Sequence, residues 1–145
     1  MKWVEIGVNG MTCSMCTRSV EMSVRTLNFV DSVVMSLEST EGKVYLKPGT
    51  PIDLKKIATA VTDAGFSVRF VRVAFAFDDV PVATDGSFTY QGQSYAWLDF
   101  KSPAKSDATL QLVDEGFLPR KESYQWKKKL PKASDGKKTF HVVAM

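Results

Sequence analysis

The order in which two hydrophobic periods alternate through the first half of the chain constrains its fold more than any other feature. Val4, Ile6 and Val8 alternate with Glu5, Gly7 and Asn9, the two-residue period of a half-buried strand. Val20, Val24 and Leu27 then recur at i, i+4 and i+7, one apolar stripe of an amphipathic helix. Residues 29–37 are rich in valine and predict a second strand. Thr40-Glu41-Gly42-Lys43 is turn-like, and residues 44–46 predict the third strand of a hairpin. After the break at Lys47-Pro48-Gly49-Thr50-Pro51, Leu54, Ile57, Ala58 and Val61 mark a second helix over 53–64, stopped by Gly65. Val68, Phe70, Val71 and Val73 form a closing strand that runs toward Phe77. The order is βαββαβ, which predicts an α+β, ferredoxin-like domain over residues 1–76 with two helices on one face of an antiparallel sheet.

Residues 77–145 read differently. Asp78-Asp79-Val80-Pro81 and Ala83-Thr84-Asp85-Gly86 are turn material and mark the expected boundary. Residues 88–90 and 95–100, joined through Gln91-Gly92-Gln93, predict two strands and a tight turn. Residues 110–113 and 140–143 are further strand candidates, with a short helix between them over 123–129. Several short strands in this span suggest a small, mostly-β second domain, either a barrel of OB-like type or a curled sheet.

The chain has 145 residues, 44% apolar and 24% charged, so a packed core is expected. No apolar run reaches the roughly 20 residues that a helical membrane span requires. The net charge of +3 is too small to argue for nucleic acid, and no nucleic-acid partner is expected. Charge is uneven, however. From Ala76 to Pro119 two basic residues stand against seven acidic ones, whereas from Arg120 to Lys138 eight basic residues stand against two acidic ones. The basic run, interrupted by Tyr124 and Trp126, reads as a solvated lysine face beside packed aromatics. Its functional version is a cationic patch that docks an acidic protein.

One histidine and two cysteines exclude His-rich metal centres and disulfide scaffolds, so any chemistry falls to two thiols. Cys13 and Cys16 form a CxxC between the first strand and the first helix. Unpaired N–H groups and the positive end of the dipole at a helix start favour thiolate over thiol. A thiolate pair is a soft ligand set that selects Cu(I), and by the same softness Hg(II), over oxygen-loving cations. A closed structural zinc site needs four ligands, and His141 is far away in the chain. Because residues 3–8 read as a strand rather than a secretory leader, a cytoplasmic, reducing setting is expected. A periplasmic setting is expected if Met1 replaces a removed signal peptide.

Gly10-Met11-Thr12-Cys13-Ser14-Met15-Cys16 resembles the GMTCxxC signature of the heavy-metal-associated domain, found in copper chaperones, mercury-binding proteins and the N-terminal modules of copper-transporting P-type ATPases. Ser19-Val20-Glu21, residues 29–37 and Ala64-Gly65-Phe66 resemble further parts of that family, which together cover residues 1–75. The resemblance implies that Cys13 and Cys16 are metal ligands, that Met11 is a buried anchor of the loop, and that Phe66 lies near the loop and shields it. Thr12 stands where zinc- and cadmium-selective relatives tend to carry an acidic residue, which favours a soft monovalent ion. Phe29 replaces a glycine common in the family.

The leading expectation is therefore a non-enzymatic Cu(I) chaperone or transport module. It would pass its ion to a copper-handling partner, such as a P-type ATPase or another CxxC metal-binding domain. A mercury-binding protein is a variant of the same reading, and a thiol–disulfide oxidoreductase using the same CxxC is the alternative from another class. Met22 and Met35 are expected to be core packing, Met15 to face outward, and Trp97 and Trp126 to be core or interface residues. His141 is expected to be a surface or satisfied histidine rather than a ligand.

Overall fold

The computed structural model describes residues 3–77, 81–100, 107–130 and 139–144. The expected boundary residues Asp78-Asp79-Val80 and the end of the basic run, residues 131–138, lie outside the described residues.

The first half follows the predicted order. Strand β1 (Trp3–Asn9) leads into α1 (Ser14–Arg25), β2 (Val30–Ser36), β3 (Glu41–Leu46), α2 (Leu54–Asp63) and β4 (Ser67–Ala76). Helix α2 starts where the Asp53 carboxylate accepts a hydrogen bond from the Lys55 N–H at 3.0 Å, an N-cap typically worth about 1 kcal/mol. β1 lies between β3 and β4 with both pairings antiparallel, and β2 extends the sheet beyond β3. Val4, Ile6 and Val8 point to the helix side, where they pack with Val20, Val24, Ile57 and Val61. Phe29, at the position where the family favours glycine, is buried in the same core.

The second half does not form a separate closed barrel. β5 (Ser87–Tyr90), β6 (Gln93–Trp97), β7 (Asp107–Leu112), α3 (Arg120–Lys127) and β8 (Thr139–Ala144) continue the first sheet. The eight strands run β2-β3-β1-β4-β7-β8-β6-β5, with β4 paired to β7 from Arg72 to Ala76 and β6 parallel to β8. β2 and β5 end this open sheet. The OB-like expectation fails because, among the described residues, β5 takes no strand on its outer side; there the Ala83 N–H donates to the Ser87 carbonyl at 2.9 Å.

The sheet does curl. β4 and β5 are separated by four strand intervals, roughly 19 Å if flat. Yet the Phe75 ring on β4 meets Phe88 and Tyr90 on β5 with centroids 5.4 and 5.7 Å apart. Only a sheet rolled around these rings brings them together. The β5–β6 hairpin turns on Gln91 and Gly92, both at positive φ (49° and 77°), the two-residue geometry that matches strand twist.

A smaller cluster on the opposite face joins the halves again. Phe70 of β4 packs there with Val113 and Leu118, flanked by Trp126 and Leu130 at the end of the α3 segment. The Arg72 guanidinium lies 3.8 Å from the Phe70 ring centre. Gly7 sits directly beneath this ring: a Cβ there would come within 2.3 Å of it. Gly7→Ala is therefore expected to push Phe70 out of its seat and cost about 1–3 kcal/mol, the usual range for overpacking. Urea unfolding should show a lower midpoint with an unchanged slope; an unchanged midpoint would show that the ring moves freely.

Candidate metal centre

β1 delivers the chain to Gly10, whose φ of 99° turns it toward α1 at a position that a side chain would strain. A Cβ at Gly10 would lie 3.3 Å from the Phe66 ring, which places Phe66 against the loop as expected. Met11 is buried in the main core and anchors the loop from below. Above it Thr12, Cys13, Ser14 and Met15 are exposed, Met15 at 77%.

Cys13 is the N-cap residue of α1, extended at φ −149° and ψ 165°, and its carbonyl accepts from the Cys16 N–H at 3.0 Å. Its side chain makes no capping bond, which leaves the sulfur to face its partner instead. The two sulfurs are 2.8 Å apart, one exposed and one half-buried. The hydrogen bond from Cys13, with a further one from the Thr12 backbone, holds the Cys16 thiol below its ordinary value. The first turn of α1 carries no acidic residue to oppose a thiolate.

Among the described residues no group of three or more His, Cys, Asp or Glu side chains converges on one point, so no four-ligand cage surrounds these sulfurs. His141 is elsewhere and satisfied. Its Nδ1 lies 2.7 Å from Asp114 Oδ1, and its backbone N–H donates to Asp114 Oδ2 at 2.6 Å. Trp97 stacks on Phe77 and donates its indole N–H to Asp99, while Trp126 packs on the back of the sheet.

One expectation is overturned. Met22 is not core packing but 58% exposed, because it stands two residues from both Val20 and Val24, on the far side of α1 from the buried stripe. Met35 is half-buried against the core, with its sulfur over Gly42.

The model of the heavy-metal-associated domain matches residues 5–67. The copper chaperone CopZ of Bacillus subtilis is 36% identical over 69 residues, which span 47% of this chain and 97% of the chaperone. The chain belongs to the heavy-metal-associated domain family. Copper-transporting ATPase 1 of Rhizobium meliloti is 36% identical over 72 residues, half of this chain but 8% of the ATPase. This heavy-metal-associated chain thus spans only a small part of its ATPase relatives. Among solved structures, the copper binding domain from HMA7, a P-type ATPase, is 30% identical, with 48% of this chain and 92% of that one covered at a TM-score of 0.44. In this family member no described helix is long and apolar enough to cross a membrane.

Proposed function

We propose that this chain binds one Cu(I) ion between Cys13 and Cys16 and hands it to a partner that carries its own thiolate pair. The observation that carries this reading is the pair of sulfurs 2.8 Å apart at the exposed mouth of α1, with no further ligand cluster among the described residues. Two soft sulfurs satisfy Cu(I), whereas zinc in a closed site demands four ligands. The curated relatives named as a copper chaperone and copper-transporting ATPases support the same choice of ion and of partner.

Binding replaces a proton with the ion. Sulfurs on opposite sides of one ion stand roughly 4.5 Å apart, taking the zinc–thiolate length of about 2.3 Å as a guide. The pair must therefore part and lose its shared hydrogen as Cu(I) enters. Cys13 does the moving in this scheme, since it is exposed and its side chain caps nothing. Transfer proceeds in the same way. A thiolate of the partner forms a third Cu–S bond, then one cysteine of this chain leaves, and the second follows as the partner's other thiolate binds. The ion is never bare. Residues 1–76 carry this chemistry in our reading, and the described strands β5–β8 brace them.

Anaerobic titration with Cu(I) against a strong chelator tests the proposal. One tight equivalent is expected in the reduced protein, and none after Cys13→Ser together with Cys16→Ser. An equivalent that survives the double substitution would place the site elsewhere.

A further inference from the structure

The sheet leaves one long margin open. Strand β7 covers the outer side of β4, and β5 has only four residues, with Ala83 bonded alongside. β2 has seven residues, and no described strand lies on its outer side. Soluble proteins blunt such margins with lysine, proline or a bulge. In β2 the bulge falls at Asp31, next to the start, and Ser32-Val33-Val34-Met35-Ser36 carries neither charge nor proline.

Apolar side chains border this margin on both faces. Val34, on the face away from the helices, is 62% exposed, and Leu37 just beyond the strand is also exposed. On the helix side a cleft of about 680 Å³ in the groove between α1 and β2 is lined by Met22, Val33 and Met35 and bordered by Arg18, Glu21 and Arg25. Arg25 pairs with Glu21 at 3.1 Å. This border is of mixed sign, so a uniformly acidic or basic surface fits it poorly.

The same row met in reverse fits it well. A two-fold axis normal to the sheet, just outside β2 and level with its middle, sets β2 antiparallel to its copy and α1 beside a reversed α1. Each Glu21–Arg25 pair then comes within reach of its counterpart with signs alternating, and the Met22 side chains close the cleft. We propose that two copies of this chain associate in this way, β2 to β2, into one continuous sheet. The α1 starts then lie at opposite ends of the helix pair, so both cysteine loops stay open and neither ion bridges the copies.

The test is the mass of the reduced, metal-free full chain across a wide range of concentration, by light scattering and sedimentation. A doubling of the 16.1 kDa chain is expected. Val34→Lys and, separately, Met22→Lys, both at exposed positions, should weaken association roughly tenfold or more by setting like charges across the axis. Far-UV circular dichroism checks that each variant stays folded. Cys13→Ser with Cys16→Ser should leave the dimer intact even though Cu(I) binding is lost. A monomer at every concentration, a dimer indifferent to both lysines, or a dimer that needs the cysteines would overturn the proposal.

Discussion

Phe75→Ala is expected to cost about 3–5 kcal/mol, a large share of the 5–15 kcal/mol that holds an ordinary domain folded. Phe75 is fully buried, and its ring meets those of Phe77, Phe88, Tyr90 and Tyr95 within 5.7 Å. Truncation would leave a cavity at the point around which the sheet rolls, and edge-to-face contacts would be lost in addition to buried area. The loss should appear first in the second half. Trp97 stacks on Phe77 there, so tryptophan fluorescence and near-UV dichroism report it directly. Cu(I) binding at temperatures where the first half stays folded should persist. Phe75 lies eight residues beyond Ser67, roughly 26 Å along β4 from the end that adjoins Phe66. A loss below 1 kcal/mol would mean that the rings repack without their centre.

Removing either sulfur alone is expected to abolish tight Cu(I) binding. Loss of a residue that merely orients a metal ligand already costs ten- to a hundredfold in affinity. Loss of one of two ligands should exceed that, so Cys13→Ser and Cys16→Ser are each expected to weaken binding by more than about a hundredfold. The two substitutions should not add, because neither remaining sulfur forms a site by itself. Both cysteines lie at the surface end of α1, so stability should change little, which separates a binding effect from unfolding. Chelator competition on each variant is the measurement. A single variant that competes as well as the parent would show that the two sulfurs do not act as a pair.

The first half of the fold was legible because each of its elements shows a clear period. Val4, Ile6 and Val8 announce β1, and Leu54, Ile57, Ala58 and Val61 announce α2. The loop was equally legible: Met11 is buried, and Phe66 lies against Gly10. Met22 was misread although its position carried the answer. At 100° per residue it stands about 200° from Val20, on the outward face. The continuous sheet was harder to foresee. Alternation tells which face a side chain takes, but not which strand lies beside it, and β4 meets β7 across a long stretch of intervening chain. A hint was present in Phe70-Val71 and Val73-Ala74-Phe75, where buried residues adjoin along one strand, as they do when both faces are covered.

The place of β8 sets an order of events during synthesis. Its six residues, Thr139–Ala144, follow every other described strand in the chain, yet they lie between β7 and β6. Among the described strands, the β5–β6 hairpin is hydrogen-bonded to the rest of the sheet through them alone. While the ribosome is still making the segments before it, the cysteine loop can already be built, but the hairpin has nothing to zip onto. The nascent chain can therefore complete its cysteine loop well before the wedge that seats the hairpin emerges.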